Sequence, residues 1–550
     1  MKLSNRILYN GDCNYLFATD YRREPDVPGP YTPQVLDDHV DLLADSGVDT
    51  YVMNPCGQIP WYPSKRLDHV LTGYRRGDAG FVRDHYPPTD ENFTEEQLQR
   101  ALKFCTDMLD RYLDLREQGV DWLAHIARAC RRRGVAPWVS VRMNDAHGAN
   151  NWEKSFMNCP PQKDPRLRLQ GRPINPRQPP ERYLTVCNYT HPEVRDYNFA
   201  VIEELVEDYD YEGLELDWLR TPLCCDPPAT AEEIETMTDW HRQIRELTRR
   251  WEQRTGRPYP LGVRIPARLG ALRAVGLDIE AMARQGLIDF VAPSNFWQTT
   301  WDLPYDRLRA QLGPEVTLYG VVEDAPNWMF ARAEDGTTSY RLLSLSAELM
   351  RGNAAGKLAG GADGIEFFNF FCSRAVRKNE SSAGCCYDAI AGIADLAALR
   401  GRPKHYTIQT TFNYWSMPFF EHAGQLPACV ETGGWRRFEL AMCREPAESG
   451  LELIVQLVVE RADQAPDLGV SLNGCWPSFE AEQTDRLLFR TGPLTHLAPQ
   501  YLGLNYRLPI DAIQDGINEV IVYDADENRT PYPDRQVRQT RIISVEVAVK

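Results

Sequence analysis

The sequence predicts an α/β chain: a (β/α)8 barrel followed by an all-β, jelly-roll-like sandwich. Two observations carry the barrel. Eight strand-like runs alternate with helical ones over roughly the first 370 residues, the pattern of a closed parallel sheet ringed by helices. The fourth run, residues 211–220 (YEGLELDWLR), puts Leu214, Leu216 and Trp218 on one face and Gly213, Glu215 and Asp217 on the other, because a strand alternates its faces. Two carboxylates on one face are costly to bury in an open sheet covered on both sides. In a barrel they point into the lumen, with Asp217 at the carboxyl end, where barrel enzymes place their chemistry. A third observation carries the sandwich: after Arg402 helical periodicity nearly ends, and strand-like runs separated by turn residues take over. The expected units are residues 1–402 and 403–550.

Taken in order, the first strand is expected at residues 6–12 (RILYNGD), before an amphipathic helix at 33–46. Strand two, 48–54 (VDTYVMN), leads into a long connection rich in Pro, Gly and aromatic residues. Helical sequence runs from 94 to 133, as two helices broken near Gly119. Strand three is 136–145 (APWVSVRMND), and the loop after it carries His147, Trp152 and several prolines. A helix at 191–209 precedes strand four. A helix at 231–254 leads to strand five, 261–266 (LGVRIP), and a short helix at 277–285 to strand six, 288–297 (IDFVAPSNFW). Helices near 305–311 and at 340–358 flank strand seven, 316–324 (VTLYGVVED). Strand eight is 364–370 (GIEFFNF), and a helix at 387–399 closes the series. Beyond residue 402 the strand-like runs include 437–443, 451–460, 468–472, 517–523 and 542–549.

Hydrophobic residues make up 43% of the chain and charged residues 25%, an ordinary globular composition. The formal net charge of −17 argues against nucleic acid or an anionic membrane surface as the main partner. No apolar run approaches the roughly 18 residues of a membrane span. The first residues lack an apolar signal segment, so the expected location is the cytoplasm. An oligomer is compatible with the sequence but not readable from it. The 14 cysteines include the vicinal pairs Cys224–Cys225 and Cys385–Cys386 but no Cys-x-x-Cys, so zinc-ribbon spacing is absent. Free thiols are expected rather than a disulfide or metal role, and no metal or cofactor is expected.

The same face test on the other strands fills the lumen. With Val139, Val141 and Met143 outward, Ser140, Arg142 and Asn144 point inward. Strand five offers Arg264, strand seven Tyr319 and Glu323, strand eight Glu366, strand six Asn295, and strand one Asn10 and Asp12. Buried charges need partners, so Arg142 and Arg264 are expected to bracket Glu215 and hold it ionised as a structural anchor. Asp217 and Glu323, nearer the mouth, form a carboxylate pair across a cleft, the machinery of glycoside hydrolysis. One acid protonates the leaving oxygen while the other attacks the anomeric carbon or activates water. Glu366 admits three roles: a contact to a sugar hydroxyl, a salt bridge to Arg142, or the second catalytic acid. Asp145 and His147 stand in the loop after strand three, where His147 either is solvated or contacts substrate. Among the aromatic residues after strand ends (Trp61, Trp152, Trp218, Trp297, Trp301 and Trp328), Trp218 is expected to pack outward, and Trp297 and Trp328 are the candidate subsite walls.

Residues 212–220 (EGLELDWLR) resemble the fourth-strand motif of family-10-like glycosyl hydrolase barrels, and VSVRMND-x-H (139–147) and HPEVRDY (191–197) resemble the same group. The resemblance covers residues 5–400 and implies a carbohydrate-active enzyme with Asp217 as a catalytic acid. The fourth-strand motif is also similar to the DGxDxDWE of family 18 chitinases, but Leu219 replaces the terminal Glu, which argues against substrate-assisted chemistry. The Asn-Glu dipeptide of the large retaining barrel clan is missing from strand four. VSLNG (470–474) and GINEVIVYD (516–524) resemble the galactose-binding-like sandwiches attached to many glycoside hydrolases, where such a domain either binds sugar or packs on the barrel. The expected function is therefore a glycoside hydrolase acting on an oligo- or polysaccharide. The alternatives are a metal-dependent barrel lyase or isomerase acting on a sugar, and a non-catalytic glycan-binding protein. Arg264 at the strand-five position would repel a metal ion.

Overall fold

The computed structural model describes residues 2–12, 14–18, 20–24, 27–85, 94–171, 184–296, 298–323, 326, 330–337, 345–370, 386–410, 420, 422–463, 465–491, 493–524 and 538–550. Eight parallel strands close into a barrel: β1 (Ile7–Asp12), β2 (Thr50–Asn54), β3 (Ala136–Arg142), β4 (Leu214–Asp217), β5 (Leu261–Ile265), β6 (Phe290–Pro293), β7 (Thr317–Glu323) and β8 (Gly364–Phe368). Each pairs with the next in chain order, and β8 returns to β1. Closure leaves the barrel without a strand edge.

Helices fill the connections, and local signals set where they start. Thr94 and Thr230 form capping boxes with Gln97 and Glu233, while Asp121 and Ser346 accept hydrogen bonds from first-turn amides. The helical stretch after β2 is two helices, Glu95–Glu117 and Trp122–Arg132, with Gly119 between them at φ 73°. The closing helix is a correction. Residues 387–399 form a 3₁₀ turn, Tyr387–Ala389, and a short helix, Leu396–Leu399. Gly392 between them sits at φ 74°, which a right-handed helix does not allow. Among the described residues no helix is long and apolar enough to cross a membrane. Cys224 and Cys225 are buried free thiols; Cys385 lies outside the described residues.

Inside the barrel the strand phases are as the alternation predicts, with the sixth strand the exception. Leu8, Val52, Trp138, Phe290 and Tyr319 pack as an apolar plug toward the amino-terminal end. The Trp138 and Phe290 rings stack with centroids 5.3 Å apart. Two lumen glycines make room for them. A Cβ at Gly213 would lie 2.5 Å from the Trp138 ring, and one at Gly262 2.3 Å from the Phe290 ring. Gly213 therefore belongs to the fourth-strand motif for a packing reason. Trp218 packs outward, edge-on to Tyr189 and against His241.

Past residue 402 two antiparallel sheets stack. One runs Lys404–Ile408, Gln539–Val549, Leu453–Glu460, Tyr501–Leu508 and Glu482–Thr484, with Ala428–Glu431 also on Gln539–Val549. The other runs Trp435–Met442, Gly516–Asp524 and Leu468–Leu472. Val455, Leu457, Val545 and Val547 from the first share a core with Phe438, Leu440, Val470, Val520 and Val522 from the second, as in a sandwich.

Among the described residues this sandwich is joined to the barrel at several places. The barrel helix Ala347–Ala359 lies directly on it: a Cβ at Gly352 would lie 2.2 Å from the His405 carbonyl oxygen, and one at Gly356 2.4 Å from that of Ala441. The strand Ala331–Ala333, from the connection after β7, pairs with Leu494–Leu497, which in turn pairs with Arg486–Thr491. Arg332 Nε also donates to the Leu497 carbonyl at 2.9 Å. Third, Thr410 and Phe420, between Lys404–Ile408 and Ala428–Glu431 of the first sheet, touch the carboxyl end of the barrel. Arg268 N donates to Phe420 O at 3.1 Å, and Gln298 Nε2 to Thr410 O at 3.1 Å.

Candidate active site

The carboxyl half of the lumen holds two polar groups. The deeper one is an acid pair. Glu215 Oε1 accepts from Asn10 Nδ2 at 2.6 Å and from Ser140 Oγ at 2.7 Å, and the same Asn10 amide donates to Glu366 Oε1 at 3.2 Å. All four residues have no exposed surface. Glu215 and Glu366 thus share the Asn10 amide, and each carboxyl bears on the other. Burial, then the Glu366 and Asp217 charges, push the Glu215 carboxyl well above the usual carboxylate range. Burial pushes Glu366 up to about 7 against the opposing pull of Arg264.

This corrects the expectation that Arg142 and Arg264 bracket Glu215 and hold it ionised. The register explains why. Ser140 and Gly262 stand beside Glu215, whereas Arg142 and Arg264 stand beside Asp217, one step nearer the mouth. A two-residue step keeps a side chain on the same face but moves it to a different level of the lumen.

The upper group centres on Arg264, which is fully buried. Its Nη1 lies 3.3 Å from each Asp217 oxygen, and its Nη2 lies 2.9 Å from Glu323 Oε1. The guanidinium carbon rests 3.2 Å from the centre of the Phe368 ring, a desolvated cation–π contact. Asp217 Oδ1 also accepts from the Leu219 amide at 3.0 Å. Ser294 Oγ stands 3.4 Å from Glu323 Oε1. Burial pushes the Glu323 carboxyl up to about 7, with Arg264 and Arg220 pulling the other way. One guanidinium thus links two carboxyl groups, one of which is poised to hold a proton near neutrality.

At the rim Arg142 pairs with Asp12 and, at 3.1 Å, with Asp145. Asp145 Oδ1 is 2.5 Å from His147 Nδ1, and the exposed His147 ring reaches solvent. Burial works against the Asp145 charge, but His147, Arg142 and Arg220 outweigh it and hold the carboxyl well below its ordinary value. Burial likewise opposes the Asp12 charge, and Arg142 and Arg220 again win. Arg220 lies 5.0 Å over the Phe296 ring and bears electrostatically on Asp12, Asp145 and Asp217.

Not every sequence candidate joins this constellation. Asn295 is a correction. The lumen positions of the sixth run are Phe290, Ala292 and Ser294, so Asn295 is out of phase. It accepts from His422 N at 3.2 Å and donates to His422 O at 3.5 Å, clamping the second domain's entry segment. Asn144 is buried, and its amide is spent on backbone: it donates to Cys187 O and Leu223 O at 3.0 and 2.6 Å, and accepts from Cys187 N at 3.1 Å. Trp61, Trp152 and Trp301 are buried and present no stacking face. Trp297 and Trp328 lie outside the described residues. Sequence reasoning passed over Ser294, whose signal was its even spacing from Phe290, and Arg220, which sits just past the strand end where alternation stops.

The acid pair carries a testable consequence. A carboxyl whose folded pKa is raised adds stability that is complete below its unfolded pKa, ~4.3, and is lost as pH rises through the folded value. For Glu366 that window runs from about 4.5 to about 7, and the loss is on the order of 3 kcal/mol. Glutamine mimics the protonated acid, so Glu366→Gln should flatten this decline. Urea unfolding midpoints measured between the two pH limits check it, and parallel declines in both chains would refute a Glu366 carboxyl that burial keeps protonated.

No family model matches the chain, and no curated protein matches it. Solved structures that it resembles include an α-amylase from Anoxybacillus, at 11% identity over 95% of this chain and 98% of that one, with a TM-score of 0.35. Two others are α-L-fucosidases from Paenibacillus thiaminolyticus. Isoenzyme 2 is 13% identical over 71% of this chain and 49% of that one, with a TM-score of 0.38. Isoenzyme 1 is 12% identical over 95% and 97%, with a TM-score of 0.33. Likenesses this distant transfer neither a substrate nor a catalytic residue.

Proposed function

We propose that the chain is a glycoside hydrolase that cleaves an oligo- or polysaccharide at the barrel mouth. Residues 1–402 are the catalytic unit and 403–550 an appended galactose-binding-like sandwich. The reading keeps the resemblance to the family-10-like barrels. One observation carries it: Arg264 bridges Glu323, with its carboxyl near 7, to Asp217. Two carboxyl groups in unlike environments are what acid and partner roles need. Glu323 is the general acid that protonates the leaving oxygen. Asp217, paired with Arg264, is the anion that attacks the anomeric carbon or directs water to it. Asp12, Arg142, Asp145, His147 and Arg220 form the rim that meets sugar hydroxyls. Arg142 and Arg264 stand among the acids where a cation would have to sit, which disfavours the metal-dependent lyase.

The test is release of reducing sugar from a panel of oligosaccharides and aryl glycosides. Cleavage of at least one by the wild type, and its loss in Asp217→Asn and Glu323→Gln, is the expected result. If both variants keep full activity on a substrate the wild type cleaves, the pair is wrong. A second reading, a barrel that binds glycan without cleaving it, is favoured by the burial of Asp217 (0% exposed) and Glu323 (3% exposed). Binding across the panel with no turnover would select it.

A further inference from the structure

The outer face of the smaller sheet in the second domain carries a row of aromatic rings that the barrel chemistry does not use. Trp435, Tyr523 and Gly469 are direct cross-strand partners, so they share one face. Phe438, Leu440, Val470, Val520 and Val522 occupy the opposite, core-facing side, which turns the row to solvent. Tyr523 lies flat across Gly469: a Cβ there would fall 2.0 Å from the ring. The Asn473–Gly474 turn, at φ 51° and 79°, is the tight reversal that two left-handed residues make. It pairs Leu472 with Cys475 and so returns Trp476 over the same face. There the Trp476 ring meets Tyr523 edge-on, with centroids 5.3 Å apart at 81°.

These rings are open. Trp435 is 60% exposed, Trp476 54% and Phe479 80%. A cavity of about 570 Å³ lies between Trp476, Phe479 and Tyr523, the strand Leu468–Leu472, and Leu504 and Tyr506 of the first sheet, within the ~300–1,000 Å³ range of small-molecule sites; Trp435 stands beside it, across Tyr523. Asp467, Ser478, Glu480 and Gln483 line it beside Trp476, Phe479 and Tyr523. Large exposed aromatics around a concavity mark a binding surface. The ring faces carry negative charge density and attract polarised C–H groups. The carboxylates, amide and hydroxyl around them accept from hydroxyls.

We propose that this cavity is a second, non-catalytic carbohydrate site that takes the C–H face of a pyranose ring within a glycan chain. A pyranose is apolar on one face and hydroxylated at its edge, which matches a lining that sets exposed rings beside carboxylate, amide and hydroxyl groups. A protein partner would use the rings but would leave the acidic rim unexplained. The site goes beyond the hydrolase reading: it holds polymer, whatever the barrel does to it.

The test is retardation of the full chain in native gels cast with xylan, mannan, laminarin, pectin or starch. The wild type should be retarded by at least one polymer. A Trp435→Ala/Trp476→Ala/Phe479→Ala triple variant should bind that polymer at least tenfold more weakly, with unchanged circular dichroism and unchanged cleavage of short oligosaccharides. Glu323→Gln should be retarded like the wild type, which separates this site from the barrel. A wild type retarded by none of the polymers, or a triple variant retarded equally, overturns the proposal. So does a dimer on gel filtration that the triple variant loses, since the surface would then be a self-association face. Retardation without any cleavage by the wild type refutes the hydrolase reading and leaves this site standing.

Discussion

Glu323→Gln should lower kcat by roughly 10²- to 10⁴-fold, the usual worth of a positioned general acid. A general acid acts in its protonated form. Burial pushes the Glu323 carboxyl up to about 7, so wild-type activity should fall as pH rises through that value. Glutamine keeps the shape and the contact to Arg264 but has no proton to give, and this alkaline fall should disappear with it. Leaving groups discriminate further. An aryl glycoside with an acidic phenol departs without protonation, so the variant should lose far less on it than on a natural oligosaccharide. Equal losses on both substrates, or an unchanged pH profile, would mean that Glu323 only holds Arg264 in place.

Arg264→Met should have the largest effect on stability. The side chain is fully buried and paired with two carboxyl groups, both themselves buried. A buried ion pair is weak evidence of net stabilisation, but removing one member strands the other's charge and costs about 3–5 kcal/mol. Here two acids are stranded by one substitution. The cost should appear in urea unfolding at pH 8, where the remaining acids are least able to take up protons, and shrink toward pH 5. Adding Asp217→Asn and Glu323→Gln to that substitution should restore much of the loss, because the buried charges go with their partner. A stability loss that the two neutral replacements do not recover would place the role of Arg264 in its packing on Phe368 instead.

Most of the barrel was legible because alternation is a local property. Leu214, Leu216 and Trp218 against Gly213, Glu215 and Asp217 can be read from adjacent residues, and repeating the test around eight strands identifies most of the lumen. What sequence does not carry is the offset between strands. Arg142 and Arg264 are inward, as their phase requires, yet whether they meet Glu215 or Asp217 depends on register. The acid pair of Glu215 and Glu366 stayed hidden for the same reason, since its members come from β4 and β8. Asn295 failed differently. The run 288–297 reads as one strand, but the strand ends at Pro293, and the lumen phase of Phe290 and Ala292 carries on to Ser294, not to Asn295. Its partner, His422, is 127 residues away. In the second domain five core strands could be read from their apolar alternation, while Lys404–Ile408 and Tyr501–Leu508 were not among the runs read. The polar edge strand Glu482–Thr484 and the strand Ala331–Ala333 could not, because each exists only through its neighbour.

That last strand bears on how freely the two halves could be exchanged. Ala331–Ala333 leaves the barrel between β7 and β8 and completes a sheet whose other members come from residues 486–497. A cut at residue 402 would leave its backbone donors and acceptors without their partners, and would bare the Gly352 and Gly356 face that lies against His405 and Ala441. The second domain is therefore not an interchangeable cartridge, as a unit tethered by a bare linker would be. Grafting either half elsewhere means carrying the short strand and the glycine-faced helix along with it.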